Sequence, residues 1–253
     1  AGTGFGGQGA LINSNATAYS LAGPVTLNGD TLVGLPAAGG LTLSGAISGN
    51  YGLTRAGIGA GVLTLSGANT YTGATTVIAG TLTLDYTTQT NSKLADGSAL
   101  ILGGGTVNLT TNGPHTEVVG SAMLNFGANS VTRTAAATSV LSLNTITRNT
   151  GATVNFGTAS IAWTDNANVN GILGGWAPLG NEWAINSTGL GDGPITALAT
   201  YQAGTLPGAW LSTDNVKISA ALAGYSGNQS VNSLNFATAG LTLNQTGGTT
   251  LTI

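Results

Sequence analysis

The fold is decided by residues 57–84, whose sequence is GIGAGVLTLSGANTYTGATTVIAGTLTL. Within this stretch, residues 63–65 and 82–84 both have the sequence LTL, which alternates a large apolar residue with threonine. Alternation with a period of two is typical of a strand that buries one face, and the β-branch of threonine suits a pleated strand. The intervening glycines supply the positive-φ corners that tight turns need. The stretch therefore predicts short strands joined by sharp corners.

The same alternation recurs along the whole chain. It returns roughly every 10 to 22 residues, and no Asn-Gly or Asp-Gly hairpin dipeptide lies consistently between the strings. The strings are Leu41-Thr42-Leu43, Leu63-Thr64-Leu65, Leu82-Thr83-Leu84, Val107-Asn108-Leu109, Leu141-Ser142-Leu143, Leu241-Thr242-Leu243 and Leu251-Thr252-Ile253. This recurrence predicts an all-β fold that coils into a β-solenoid, with strands of adjacent turns about 4.8 Å apart. In such a coil, leucine stacks over leucine and a turn asparagine over asparagine.

Charged residues are scarce in this chain of 253 residues. Lys, Arg, Asp and Glu make up 5%, against about 25% in an ordinary soluble domain, and the formal net charge is -3. Five basic residues cannot supply a surface for the phosphate backbone, so no nucleic-acid partner is expected. Hydrophobic residues still make up 42%, unlike a disordered chain. Cysteine is absent and no apolar run approaches about 18 residues, so we expect no disulfide, no Cys-ligated metal and no membrane insertion by this segment.

Four short segments within residues 57–84 resemble a known family. They are 63–67 (LTLSG), 69–73 (NTYTG), 75–77 (TTV) and 79–82 (AGTL). These segments are similar to the autotransporter-associated β-strand repeat, and a diverged copy precedes them, so we place the repeat at 40–84. The resemblance implies a right-handed parallel β-helix of the passenger type. It also implies a bacterial surface or secreted protein with an extracellular or cell-surface location.

A second resemblance covers residues 116–253. This part looks like the module that accompanies such repeats in very large bacterial surface proteins. The strings that carry it are Val131-Thr132-Arg133, Ile146-Thr147-Arg148-Asn149-Thr150-Gly151, Gly171-Ile172-Leu173-Gly174-Gly175-Trp176-Ala177, Glu182-Trp183-Ala184 and Val231-Asn232-Ser233-Leu234. The resemblance implies that the chain is a module of a very large repeat protein.

Alternation fades between residues 163 and 210, a segment that contains all four tryptophans. We predict a β-solenoid over 1–162, a Trp-rich loop excursion or small subdomain packed on it over 163–210, and a continuation of the solenoid over 211–253. The tryptophans either form stacking platforms for a ligand or act as staples that pack the segment on the coil. These candidate ligand-binding residues are Trp163, Trp176, Trp183 and Trp210.

Few residues suggest catalysis or metal binding. His115 is the only histidine, and because it follows Pro114 we expect an exposed loop residue. The acids available for carbohydrate chemistry are Asp165, Glu182, Asp192 and Asp214. Only Lys217 is available in that region to neutralise a uronate, and residues 189–193 (GLGDG) match a calcium-binding nonapeptide once without repeating it. We therefore predict no catalytic residue, no metal site and no cofactor, and we expect that the protein is not an enzyme.

These observations favour a structural role. We predict a rod segment of a bacterial surface fibre, filament or adhesin stalk, whose low charge permits packing end to end. The expected partners are other copies of the chain or adjoining modules of a longer one, because an uncapped solenoid end is an adhesive edge. The alternative is a module that binds surface glycans through the tryptophan segment.

Overall fold

The computed structural model describes residues 2–57, 59–134, 138–203, 210–225, 227–245 and 247–253. In these ranges the chain is built from short strands, and the one helical element is a 3-10 turn, Phe5–Gly7. The strands of the first half are β1 (Leu11–Ile12), β2 (Tyr19–Leu21), β3 (Val25–Thr26), β4 (Thr31–Gly34), β5 (Leu41–Leu43), β6 (Ile47–Ser48), β7 (Leu53–Ala56), β8 (Val62–Leu65), β9 (Thr75–Val77), β10 (Thr81–Asp85), β11 (Ala99–Gly103), β12 (Thr106–Thr110), β13 (Thr116–Val118), β14 (Ser121–Phe126) and β15 (Ala128–Arg133). Those of the second half are β16 (Val140–Ser142), β17 (Ile146–Arg148), β18 (Thr153–Phe156), β19 (Ala162–Thr164), β20 (Pro178–Leu179), β21 (Glu182–Asn186), β22 (Gly193–Ala197), β23 (Gln202–Ala203), β24 (Asn215–Ile218), β25 (Leu222–Tyr225), β26 (Gln229–Ser230), β27 (Ser233–Phe236), β28 (Leu243–Gln245) and β29 (Leu251–Thr252).

From β1 to β19 the strands wind around three faces. Face 1 is the sheet β1-β4-β7-β9-β11-β14-β17, and face 2 is the sheet β2-β5-β8-β10-β12-β15-β18. Face 3 consists of the pair β3-β6 and, further along, of β13-β16-β19. The pairs on all three faces are parallel. Contacts between adjacent turns join residues 22 apart at Asp30 and Gly52 and 25 apart at Gly104 and Asn129. The predicted parallel β-solenoid is therefore confirmed, and its right-handedness stays an implication of the resemblance.

The interior of face 2 consists of apolar columns that run from turn to turn. The first column is Leu41, Leu63, Leu82, Val107, Val131 and Phe156. The second column, beside the first, is Leu43, Leu65, Leu84 and Leu109. All ten side chains are buried. Full burial of each such side chain contributes roughly 1.5–3 kcal/mol, so these columns are a main source of stability. The expectation that leucine stacks over leucine is confirmed.

Hydroxyl and amide side chains alternate with these columns on the outside of face 2. In register, they are Ser20, Thr42, Thr64, Thr83, Asn108 and Thr132, which we call the outer column. The Oγ1 of Thr132 lies 3.1 Å from Asn108 Oδ1 and donates a hydrogen bond to it. The solenoid therefore needs few charges, because backbone ladders and short polar side chains cover this surface.

The tryptophan segment extends face 3 with antiparallel strands. The added order is β19-β22-β21-β20, and each of these pairs is antiparallel. We call the solenoid formed by β1 to β19 the first solenoid. Its core also includes four residues of the tryptophan segment, Leu173, Ala177, Ala184 and Ile195. Parallel pairing resumes in β23-β24-β27, β25-β28 and β26-β29, around a separate small core. The boundaries at 162 and 210 stay predictions.

Candidate functional site: interior, ends and tryptophan segment of the solenoid

Asn69 connects three consecutive turns on face 3. Among the described residues, face 3 has no strand between β6 and β13, and side chains take over part of the bonding there. Asn69 Oδ1 accepts a hydrogen bond from Ile47 N at 3.0 Å, and its Nδ2 donates to Lys93 O at 3.1 Å. Because one amide both accepts and donates, Asn69 substitutes for a rung of the backbone ladder.

A buried polar pair follows directly after Asn69. Tyr71 and Thr75 are each 1% exposed, and their hydroxyl oxygens are 2.7 Å apart. Burial raises the pKa of Tyr71, which keeps its hydroxyl protonated. The pair fills the corner between face 3 and face 1 with every hydroxyl bonded, as a buried polar group requires.

Glu117, on β13, occupies an interior position and is fully buried. Its carboxylate accepts hydrogen bonds from Lys93 N at 3.0 and 3.1 Å, from Leu94 N at 2.6 Å and from the Tyr86 hydroxyl at 2.5 Å. Burial raises the pKa of Glu117, and the hydrogen bonds from these donors oppose that shift only in part. The side chain thus satisfies backbone amides in a turn where face 3 has no strand.

Lys93 is also fully buried, although lysine is rarely found inside a protein. Its Nζ donates to Ser66 O and Gly67 O at 3.2 Å and to Gln89 O at 3.0 Å. Burial lowers the pKa of Lys93, whereas the nearby Glu117 raises it. The ammonium group therefore fastens the loop after β10 to the preceding turn through carbonyl oxygens.

His115 belongs to the same buried group. Its ring stacks on Tyr86 with the ring centroids 4.0 Å apart, and its Nε2 lies 3.4 Å from Glu117 Oε2. His115 precedes β13 in a loop, as expected, but its side chain is only 12% exposed, so the expected exposure is wrong. The reason is that the alternation of β13 turns Glu117 inward, and the ring of His115 covers that carboxylate together with Tyr86.

Arg55 holds the glycine-rich turn between β7 and β8. It lies 1% exposed between Val33 and Val77 in register on face 1. Its guanidinium donates to the carbonyl oxygens of Ala56, Gly57, Gly59 and Gly61. These bonds satisfy most of its donors and shape the glycine-rich turn, although burial lowers the pKa of Arg55.

One end of the first solenoid is open. The edge strands β1, β2 and β3 each pair on one side, and within the described residues no strand pairs with their other side. An apolar cavity of about 200 Å³ lies there, lined by Leu11, Leu21, Val25 and Leu27 among others. Ile12, Tyr19 and Leu21 are 41%, 52% and 39% exposed. This end therefore presents free backbone groups around an apolar mouth.

The other end of the first solenoid is covered by the tryptophan segment. Asn166 Oδ1 accepts from Ile146 N at 2.6 Å and Asn166 Nδ2 donates to Ile146 O at 2.9 Å, on the last strand of face 1. On face 2, Val154 N donates to Trp176 O at 3.0 Å. The Arg148 guanidinium lies 5.9 Å from the Trp176 ring. The segment therefore acts as a cap that supplies hydrogen bonds to the last strand of each of these two faces.

The four candidate tryptophans lie in different surroundings. Trp163 is 37% exposed on β19, and Trp176 packs against the core of the first solenoid. Trp210 is 7% exposed in the C-terminal core, whereas Trp183 lines a cleft. Of the four, Trp183 is therefore the one that this cleft offers as a stacking platform.

The cleft lies between residues 178–183 and the strand β27. Glu182 and Lys217 form an ion pair across its wall, and Asn235 Nδ2 donates to Asn181 O at 2.7 Å. Burial raises the pKa of Glu182, but the hydrogen bonds from Lys217 and Tyr201 outweigh it, so the pKa lies below its usual range. Residues some fifty positions apart therefore meet here, which sequence patterns do not reveal.

The other acidic candidates are not brought together. Asp165 and Asp192 are exposed, and Asp214 Oδ2 accepts a hydrogen bond from Leu211 N at 2.8 Å within its own turn. The turn over 189–193 is closed by Asn186 Nδ2, which donates to Gly191 O at 2.7 Å. Among the residues that the structure describes, no group of three His, Cys, Asp or Glu side chains is placed to hold a metal ion.

Fold and interior together define the class of the chain, a parallel β-solenoid with an apolar interior. Residues 58–84 match the family model of the passenger-associated-transport-repeat, and the match fits an autotransporter-associated β-strand repeat. The matched residues include β8, β9 and nearly all of β10, together with Asn69, Tyr71 and Thr75.

No significant match was found among curated proteins or among solved structures. In the described parts of the chain, no helix is long and apolar enough to span a membrane. The repeat and the fold together support a structural segment of a bacterial surface protein, because the repeat family is one of secreted or cell-surface bacterial proteins.

Proposed function

We propose that this chain is a stiff rod segment of an extracellular bacterial fibre, filament or adhesin stalk. The observation that carries the proposal is the continuous parallel pairing of strands along faces 1 and 2, with buried columns behind them. Pulling along such a stack loads many backbone hydrogen bonds at once. A surface of hydroxyl and amide groups with few charges also offers few sites for proteases that recognise basic residues.

The open end supports a proposal about partners. The edge strands β1, β2 and β3 surround an apolar mouth, and another solenoid turn would extend all three faces by the same parallel pairing. That turn comes from an adjoining module of a longer chain or from a second copy. In a second copy, that turn would be β27, β28 and β29, each of which pairs on one side only within the described residues. A contact of this head-to-tail kind is heterologous and propagates into a filament rather than a closed dimer.

A proline substitution at Ser20 tests the edge contact. Tyr19 N donates to Gly40 O and Leu21 O accepts from Ser44 N, both at 3.0 Å, so by alternation the backbone groups of Ser20 face the open side. Ser20→Pro removes a free edge N–H without removing one of these internal bonds. We expect it to weaken the association of copies in sedimentation velocity, while Ser20→Ala leaves it unchanged. Association that Ser20→Pro does not alter contradicts the edge contact.

Immunogold electron microscopy of the source cells tests the location and the rod role. Antibodies against this chain should label extended structures outside the cell. Label confined to the cell interior, or to globular surface particles, contradicts the proposal.

The proposal includes the absence of catalysis, since a rod needs no reactive group. Incubation of the protein with neutral and uronate polysaccharides should release no reducing ends and no unsaturated products. Product formation that Glu182→Gln abolishes would instead assign an enzyme to the cleft.

A further inference from the structure

The cleft between residues 178–183 and β27 has features that the rod role does not use. Its volume is about 260 Å³, which suits a single sugar ring better than a drug-sized molecule. Two separate parts of the chain form its walls, and the Lys217–Glu182 ion pair and the Asn235–Asn181 hydrogen bond hold them together. The cleft is therefore built by the fold and is not a gap in one loop.

Its lining combines apolar surface with polar groups. Trp183, Leu234 and Phe236 line the cleft, and Phe236 is 44% exposed. Asn181, Glu182 and Asn235 line it as well. Aromatic rings provide flat apolar faces, whereas amide and carboxylate groups bind hydroxyls.

Two polar atoms of the lining residues are buried and have no hydrogen-bond partner among the residues that the structure describes. They are Trp183 Nε1, which is a donor, and Glu182 Oε2, which is an acceptor. Leaving such atoms unsatisfied is costly. Both have almost no accessible surface, so a ligand would reach them only after a small movement of the two side chains, and it would then need both hydroxyl donors and acceptors. This observation points to a polar, hydroxyl-rich ligand.

The charge of the cleft selects among such ligands. Glu182 is the charged residue of the lining, and Lys217 already neutralises it. A uronate or a phosphate would place a negative charge beside the Glu182 carboxylate. Lys217 is already paired with that carboxylate and would not neutralise the added charge, so binding such a ligand would be costly. A neutral ligand avoids this cost.

From these features we infer that the cleft is a binding site for one residue of a neutral carbohydrate, with Trp183 and Phe236 against the ring and Asn181, Glu182 and Asn235 on its hydroxyls. The site would attach neutral glycans to the side of the solenoid. The cleft shares no lining residue with the open end, so an experiment can contradict sugar binding without contradicting end-to-end packing, and the reverse.

Saturation-transfer NMR on the full chain tests the site, with glucose, galactose, mannose, N-acetylglucosamine, maltose and cellobiose as neutral probes and glucuronate as the charged one. We expect a dissociation constant of about 10 mM for at least one neutral sugar and a larger one for glucuronate. Phe236→Ala should weaken the binding about tenfold. Phe126→Ala is the matched control, because Phe126 is a similarly exposed phenylalanine outside the cleft, at 49%.

Three results overturn the inference. They are the absence of saturation transfer from every neutral sugar, equal effects of Phe236→Ala and Phe126→Ala, and tighter binding of glucuronate than of its neutral counterpart. Trp183→Leu provides a second variant, compared with Trp163→Leu as the control outside the cleft. Circular dichroism establishes that each variant is folded before it is titrated.

Discussion

The hydroxyl groups of Tyr71 and Thr75 lie 2.7 Å apart in the interior of the solenoid, where each side chain is 1% exposed. Both residues belong to the stretch that matches the transport repeat. The repeat therefore carries an interior polar contact as well as the leucine columns. Together with Asn69, the pair shapes the corner through which the chain passes from face 3 to face 1.

Removing the hydroxyl of Tyr71 should destabilise the protein. Tyr71→Phe leaves Thr75 Oγ1 buried without its partner, so we expect the free energy of unfolding to fall by about 1–2 kcal/mol. Denaturant unfolding measures it, with Tyr51→Phe as a control because Tyr51 is 45% exposed. The double variant Tyr71→Phe/Thr75→Val should cost less than the sum of the two single variants. Additive losses contradict a direct hydrogen bond.

Asn69→Ala should also destabilise the solenoid, because it removes the bonds to Ile47 N and Lys93 O. We expect a loss of about 1–3 kcal/mol in the free energy of unfolding. Asn69→Asp keeps the oxygen that accepts from Ile47 N but loses the amide that donates to Lys93 O. We therefore expect at least part of the destabilisation to remain in this variant. The exposed Asn91 provides the control Asn91→Ala, which should change little. Equal stabilities of the two alanine variants would refute the bridging role.

Glu117→Ala should be the most damaging single change of this group. It leaves the amides of Lys93 and Leu94 and the Tyr86 hydroxyl without their acceptor. By analogy with the loss of one partner of a buried charged group, we expect about 3–5 kcal/mol. Asp96→Ala is the control, because Asp96 is exposed. The stability of Glu117→Gln should lie between those of Glu117→Ala and Asp96→Ala. If Glu117→Ala is as stable as Asp96→Ala, the proposed contacts are ruled out.

The Glu182–Lys217 ion pair predicts a pH dependence. Because the pKa of Glu182 is lowered in the folded protein, its contribution to stability is present above the ordinary glutamate range and is lost as the pH falls through the lowered pKa. We expect Glu182→Gln to be less stable than the unaltered protein at about pH 7 and the difference to shrink at about pH 3. Thermal unfolding at both pH values measures it. A difference that grows on acidification has the wrong sign for this account.

The repeating part of the fold was predictable because one face of each strand is buried. A strand such as Leu63-Thr64-Leu65 has a single way to hide both leucines, and stacking then places Thr64 over Thr42 and Thr83. The same alternation also contains the signal for Arg55, which shares the parity of Leu53, and for Glu117, which shares that of Val119. The charge of these side chains points the other way, since lysine, arginine and glutamate are rarely buried.

The tryptophan segment was less predictable for a different physical reason. Its antiparallel order depends on long-range pairing, such as that of Trp163 with Pro194, and no local period encodes it. The cleft depends on Trp183 of β21 and Phe236 of β27, which are distant in the sequence and line one cleft only in the folded chain. The sequence left the same two roles, stacking platform or staple, open for all four tryptophans, whereas in the structure Trp210 lies in a core and Trp163 is partly exposed.

The central claim is that successive turns stack in register, and distances along the outer column test it most directly. The chain has no cysteine, so pairs of introduced cysteines accept spin labels without background. Ser20 with Asn108 and Thr42 with Thr132 are each four turns apart, whereas Ser20 with Thr132 is five turns apart. Double electron–electron resonance should give equal distances for the first two pairs, near 19 Å between backbones at about 4.8 Å per turn, and about 5 Å more for the third. A third distance equal to or shorter than the other two would contradict the solenoid and the rod built from it.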